Sequence, residues 1–356
     1  MENLSYSVAK PDTEEEWISS QGPDVKKLEE EWAKYVGTKY AVACSSGTDA
    51  LKLALCALGI GPGDEVIVPE FTMIATAWAV TYVGATPVFV DCGDDLNIDV
   101  EKIEEKITSR TKAIMPVHIY GRPADMKAIM RIAYEYNLFV VEDVAEAHGA
   151  SIDGVRVGAW GHLGCFSLYA NKIITSGEGG LITTNSEWWY RQAQHYKSVA
   201  FDEGHTFLHK KVGYNDRMTN MQAKIALKQL SRIDEFLAKR SQIQGWYDKY
   251  LNQLGLYTIP RPEGSVLWMY DILYADLVNG GALKREKLIS NLKEKGIETR
   301  RFFKPMSEQP MYKGEYRVLK AFKFSRLGLY LPTYTQLTKE DVKYISEQVI
   351  LSCGLS

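Results

Sequence analysis

The chain of 356 residues is longer than one small domain needs and suits two, one larger than the other. Its hydrophobic fraction of 46% supports a sizeable core, and 24% charged residues argues against a disordered chain. A net charge of −3, with neither sign gathered in one half, leaves no electrostatic footprint for nucleic acid or an anionic membrane.

The polar, acidic stretch from Met1 to Ser20 lacks the pattern of a signal peptide. Val25 to Tyr35 reads as a helix and Tyr40 to Cys44 as a short strand running into Ser45-Ser46-Gly47-Thr48-Asp49. Leu51, Leu53, Leu55 and Leu58 follow at helical spacing, which stops at Gly59-Ile60-Gly61-Pro62-Gly63. The apolar stretch Val66 to Val90 is cut by Pro69, Glu70, Gly84 and Pro87, so it predicts strand, helix and strand rather than a membrane span. Within it, Val66 to Val68 is a strand, Ile74 to Val83 a helix, and Pro87 to Asp91 a strand. Val100 to Ile107 then predicts a helix, Lys112 to Val117 a strand, Ala124 to Asn137 a helix and Leu138 to Asp143 a strand. One long helix is expected over Thr219 to Tyr250, then a strand over Trp268 to Val278, a helix over Lys284 to Lys295, a short strand at Ile297 to Thr299 and a closing helix over Lys339 to Leu351. The change of pattern near Leu251 to Pro262 sets the expected boundary between a large domain, 1–250, and a small one, 251–356. Cys44, Cys56, Cys92, Cys165 and Cys353 are odd in number and widely spaced, which fits reduced thiols and a cytoplasmic location; no metal site is expected.

Strands alternating with helices imply an α/β fold with a mostly parallel sheet covered on both faces, and such sheets bind ligands beyond their carboxyl ends. Asp143 ends one strand there, and the Ser46-Gly47-Thr48 turn lies at another such end. That turn suits a phosphate, because exposed N–H groups and the helix dipole favour an anion and glycine permits close approach; taken by itself, a serine N-cap with no ligand is the stronger explanation. Downstream, Ser167 precedes Lys172 by five residues, and Glu178-Gly179-Gly180 follows in a permissive loop. An Asp at a strand end followed by a Ser and a Lys in a Gly-rich loop is the set that pyridoxal phosphate chemistry needs. The Lys would form the Schiff base, and the Asp would keep the pyridine nitrogen protonated. Glu146, one turn after Asp143, could sit near the phenolic oxygen or assist protonation, or be an ordinary helix carboxylate.

The landmarks Ser-Gly-Thr-x-Ala-Leu (Ser46 to Leu51), Glu-Asp-x-Ala-x-Ala-His-Gly (Glu142 to Gly149), Phe-Ser-x(4)-Lys (Phe166 to Lys172), Glu-Gly-Gly (Glu178 to Gly180) and Gly-Tyr-Asn-x-Arg-Met-Thr (Gly213 to Thr219) occur in order. Together they resemble the DegT/StrS-type aminotransferases, which make amino sugars on nucleotide carriers. The resemblance implies a fold-type I (aspartate aminotransferase-like) enzyme with pyridoxal 5′-phosphate, working as a homodimer with shared sites. By position it makes Lys172 the Schiff-base lysine and general acid/base, and Asp143 the partner of the pyridine nitrogen. Ser46, Gly47, Thr48 and Ser167 belong to the phosphate site, with Asn215 reaching the neighbouring subunit's cofactor. Met73 stands where many members stack an aromatic on the cofactor ring, and Glu146 where many have Gln.

The segment Gly296 to Pro305, with Arg301, Phe302 and Lys304, resembles the part that perosamine synthase-type members place near the sugar nucleotide, and Tyr214 and Arg217 join it as substrate-binding candidates. Arg301 replaces a common Pro, and Ser307 stands near a position that is often His. The implied reaction moves the amino group of L-glutamate to C4 of a nucleotide-linked 4-keto-6-deoxyhexose, with 3-amination as the alternative. Related 3-dehydratases replace the lysine with His, so Lys172 counts against that class.

Overall fold

The computed structural model describes residues 19–20, 22–201, 207–251, 259–273, 281–312 and 320–353. In the first half, helices α1 (Pro23–Val36), α2 (Gly47–Ala57), α3 (Ile74–Tyr82), α4 (Met126–Glu135) and α5 (Glu187–Lys197) alternate with strands β1 (Tyr40–Cys44), β2 (Glu65–Pro69), β3 (Thr86–Val90), β4 (Thr111–Ile114), β5 (Phe139–Asp143), β8 (Leu163–Ser167) and β9 (Gly180–Thr184), while β6 (Ser151–Ile152) and β7 (Val155–Arg156) form a small hairpin. The seven strands make one sheet in the order β1-β9-β8-β5-β4-β2-β3, and β9 alone runs against the rest. This is the expected mixed, mostly parallel α/β sheet. Strands β2, β8 and β9 are buried along their whole length, as helices on both faces require.

Two expected helices take another form. The segment after Asp99 forms two 3₁₀ turns, Val100–Lys102 and Glu104–Lys106. A three-residue repeat puts Val100 and Ile103 on one face, and Asp99 both caps Glu101 N–H and pairs with Lys102 at 3.0 Å, which tightens the turn. The long helix expected from Thr219 is two, α6 (Asn220–Leu230) and α7 (Ile233–Leu251). A Thr219/Gln222 capping box starts the first, and the Ser231 hydroxyl ends it by donating to the Lys228 carbonyl at 2.9 Å.

Beyond α7 a second sheet of three strands has the order β10 (Tyr270–Leu273), β12 (Gly328–Leu331), β11 (Arg300–Arg301). The expected strand from Trp268 is thus described only as far as Leu273, and its end at Val278 lies outside the described residues. The short strand expected at Ile297 lies three residues later, where Arg300 and Arg301 pair with Tyr330 and Leu329. Helices α8 (Gly281–Glu294), α9 (Lys320–Leu327) and α10 (Lys339–Cys353) complete the second half. Ile243, Tyr247 and Leu251 of α7 pack with Leu288, Leu292, Leu329 and Ile345, so the last turns of α7 share the core of the second sheet. The five cysteines are free thiols, and among the described residues no helix is long and apolar enough to cross a membrane.

Candidate active site

The carboxyl end of β5 carries the centre of the site. Asp143 is 5% exposed; Thr76 donates its hydroxyl to Oδ2 at 2.9 Å and the Ala145 N–H reaches Oδ1 at 3.1 Å. Burial pushes its carboxyl upward, opposed by those two hydrogen bonds and by the Lys172 amine. The neighbouring Glu142 locks the strand end. Its carboxylate accepts the N–H groups of Gly158, Trp160 and Gly161 at 2.8, 2.9 and 2.6 Å, and lies 3.0 Å from His118 Nε2. His118 Nδ1 accepts the Ala124 N–H at 3.0 Å, so the ring's proton sits on Nε2 and points at Glu142.

Lys172 feels both acids of this region. Desolvation pushes its amine down, against the pull of Glu146 and Asp143. Glu146 is 2% exposed and accepts the Tyr120 N–H at 2.9 Å; burial lifts it to about 7, with Lys172 and the Tyr120 bond opposing and Asp143 adding. Glu146 therefore changes charge near neutral pH, and folding stability must follow. The unfolded chain loses this proton near 4.5 and the folded chain near 7, so the cost of the buried acid grows from pH 4.5 to 7 and is constant above. In the cofactor-free chain, Glu146→Gln, which keeps an acceptor for Tyr120, is expected to stabilise by on the order of 3 kcal/mol at pH 8 and hardly at all at pH 4.5. Denaturant titrations at the two pH values measure it.

The second part of the site is the start of α2. Ser46 is its N-cap, accepting the Asp49 N–H at 3.1 Å and donating to the Asp49 carboxylate at 2.7 Å. The serine hydroxyl is thus occupied by capping, while the N–H groups of Gly47 and Thr48 have no partner within the helix. A Cβ on Gly47 would lie 2.6 Å from the Ser167 Cβ, so only glycine lets the end of β8 come this close to the helix start. The Gly-rich loop closes the same cradle, because a Cβ on Gly180 would lie 2.2 Å from the Ser46 carbonyl oxygen. Gly47→Ala should weaken cofactor binding by about tenfold or more, since relieving the overlap means moving Ser167; equilibrium dialysis of the cofactor reads this directly.

A lysine amine, a buried carboxylate and a phosphate-sized cradle of N–H groups with one hydroxyl fit pyridoxal phosphate. Residues 7–350 match the model of the DegT/DnrJ/EryC1/StrS aminotransferase family. The chain belongs to that family. A GDP-perosamine synthase of Caulobacter vibrioides is 44% identical over 92% of this chain and 89% of its own. A UDP-N-acetyl-3-dehydro-α-D-glucosamine 3-aminotransferase of Acidithiobacillus ferrooxidans is 45% identical over 69% of this chain and 66% of its own. Among solved structures, Spr1654 of Streptococcus pneumoniae in its PMP form superposes with a TM-score of 0.89 at 28% identity, covering 96% and 92% of the two chains. As a DegT/DnrJ/EryC1/StrS member, the protein has the fold-type I architecture and is a pyridoxal phosphate-dependent aminotransferase with a sugar substrate and an amino donor.

The other sequence-derived residues fall into separate groups. Met73, the N-cap of α3, is 46% exposed. Asn215 and Arg217 are exposed, and the Arg217 guanidinium donates to Asn215 Oδ1 at 3.1 and 2.9 Å. Tyr214 lies under Lys52, whose Nζ is 4.2 Å from its ring and 2.7 Å from Asp216, tying this loop to α2. Arg301 is engaged by Glu286 through Nε at 3.0 Å, Lys304 is exposed, and Ser307 N–H donates to Glu70 at 2.7 Å. Phe302 is only 4% exposed and packs on Gly328, Phe71 and Tyr120, so its ring belongs to the core beneath the cleft.

Sequence reasoning passed over Thr76, Tyr120 and Trp268. Tyr120 adopts a left-handed backbone (φ 51°), strain that for a bulky residue marks a functional region. Nothing local in the sequence flags Thr76 or Trp268, since their contacts join distant segments.

Proposed function

We propose that this enzyme transfers the amino group of L-glutamate to C4 of a GDP-linked 4-keto-6-deoxyhexose. The observation that carries the reading is that the relative named GDP-perosamine synthase matches across 92% of the chain, through both the sheet that holds Asp143 and the second half. The second reading, 3-amination, is favoured by the relative named 3-aminotransferase, whose likeness covers 69% of the chain. Titrating the cofactor-loaded protein by absorbance separates them. Loss of the cofactor–lysine band with L-glutamate and its return with a GDP-linked 4-keto-6-deoxyhexose supports the first. Return only with a 3-keto sugar overturns it in favour of the second.

In this reading pyridoxal phosphate supplies an electron sink that makes a C–H bond next to the transferred nitrogen acidic. Lys172 would hold the cofactor and, with its amine free, would carry a proton on Nζ between donor and acceptor carbons. Asp143, held by Thr76 and Ala145, keeps a negative charge opposite the ring nitrogen. The Gly47 and Thr48 N–H groups with the Ser167 hydroxyl would hold the phosphate, and Met73 would pack against the cofactor. Glu146 holds or releases a proton beside the phenolic oxygen. Tyr214, Arg217, Arg301 and Lys304 would form the sugar-nucleotide region, with the Phe302 ring in the core beneath it. For Phe302 the support is indirect, through the packing of its neighbours, and Arg301 must leave Glu286 to meet a diphosphate.

The reading extends to a cytoplasmic homodimer, each protomer having a large domain, 1–250, and a small one, 251–356, with the last turns of α7 packed into the core of the small one. Asn215 and Arg217 are exposed, and Val212, on the same loop, is 84% exposed. Asn215→Ala should therefore lower cofactor retention about tenfold, the cost of one charge-assisted hydrogen bond, without lowering Tm. Unchanged retention on gel filtration would sink the shared site.

A further inference from the structure

The segment leading into β10 brings Trp268, 2% exposed, against the lysine loop. The Lys172 Nζ lies 4.4 Å from the centroid of its ring. The indole N–H donates to the carbonyl of Asn171, the residue before the lysine, at 2.9 Å. Trp268 is itself fixed, for its carbonyl accepts Arg240 Nη1 and the Thr333 hydroxyl, each at 2.9 Å. Tyr120 and Tyr330 pack around it with ring centroids at 5.8 and 6.3 Å. One side chain from the second half thus holds both the backbone and the amine of Lys172.

We infer that Trp268 is the positioning residue for Lys172: its N–H sets the loop, and its ring face receives the ammonium whenever that amine is free and protonated. This rests on the reading of Lys172 as the proton carrier. Among the described residues, the charged and titratable groups near the amine are Asp143 at the end of β5, Glu146 and His148 in the loop after it, Arg240 on α7 beyond His148, and the phenols of Tyr120 and Tyr330 on the Trp268 ring, both pushed up by burial. His148 is driven down to about 3 by burial and stays neutral, which leaves the two carboxylates as rivals for the ammonium. A carboxylate attracts an ammonium and can also take its proton. A ring face attracts the charge through its quadrupole but has no basic lone pair. The proton that Lys172 takes up therefore stays on Nζ, to be delivered when the acceptor carbon is in place. The amine gains one proton and later gives one back, so the residue returns to its starting state.

The test alters the ring's charge without its shape. Site-specific replacement of Trp268 by tryptophans carrying one to four fluorine atoms keeps the N–H and drains the π face. The full chain, stripped of cofactor, is mixed with pyridoxal phosphate, and the pH dependence of the capture rate gives the midpoint of the Lys172 amine. The midpoint should fall stepwise with fluorine number, by roughly half to one pH unit at the end of the series. Trp268→Phe, which keeps a ring but loses the N–H, should slow capture at every pH. Borohydride reduction and peptide mapping identify the captured lysine. Capture at Lys172 with an unmoved midpoint overturns the role of Trp268 alone, whereas capture at another lysine overturns the reading of Lys172 as well.

Discussion

Lys172→Ala is expected to abolish turnover, with about 10²- to 10⁴-fold lost from removing the acid/base and the rest from losing the nucleophile that holds the cofactor. The geometry explains why no neighbour substitutes. The carboxylates facing the amine, Asp143 and Glu146, are each committed: Asp143 to Thr76 and Ala145, and Glu146 to the Tyr120 N–H. Neither can move to C4′ without stranding a buried partner, which costs about 1–3 kcal/mol. Cofactor should still bind in this variant, because the α2 cradle is intact, but borohydride should no longer fix it to the chain. Full activity, or covalent fixation at another site, would remove Lys172 from the mechanism.

The second large effect concerns charge without change of shape. Asp143→Asn keeps an oxygen for Thr76 or Ala145 and fits the same space, yet removes the negative charge opposite the ring nitrogen. Losing one partner of a buried ion pair costs about 3–5 kcal/mol, so kcat should fall by roughly 10²- to 10⁴-fold. The change should alter Tm little, because the amide oxygen can keep the Ala145 N–H while the amide nitrogen donates to the Thr76 hydroxyl, which turns to Thr72 at 3.0 Å, and burial disfavours the charge that is removed. A second readout is the cofactor absorbance against pH, where the titration of the ring nitrogen should move to lower pH in the variant. An unshifted titration with normal turnover would place the ring nitrogen elsewhere. Thr76→Val, which deletes the hydroxyl bonded to Oδ2, should give a smaller loss in the same direction.

Chain-local signals carried much of the architecture. Short apolar runs marked β2, β3 and β5: β2 and β5 are apolar because they are buried on both faces, whereas β3 is an edge strand in which only Val90 is fully buried. The same logic missed β8 and β9: Leu-Gly-Cys-Phe-Ser and Gly-Leu-Ile-Thr-Thr mix small and polar residues, and only the fold shows why. Gly164 faces the Gly158 backbone with no room for a Cβ, and Thr183 donates its hydroxyl to the Gly158 carbonyl at 2.7 Å. Lys172, Asp143 and the Ser46-Gly47-Thr48 turn were legible because each is a residue type set at a particular point of a strand or loop. Their companions were not. Thr76 meets Asp143 across 67 residues and Trp268 meets Asn171 across 97, contacts that no periodicity encodes. Phe302 shows the limit from the other side: its sequence neighbourhood suggested a substrate contact, but Gly328 opened a slot in β12 that its ring fills. Residue chemistry and spacing sufficed to name the reacting groups; which of them is buried, bonded or exposed was decided by packing between distant segments, where the free energy of a side chain depends on neighbours the local sequence does not contain.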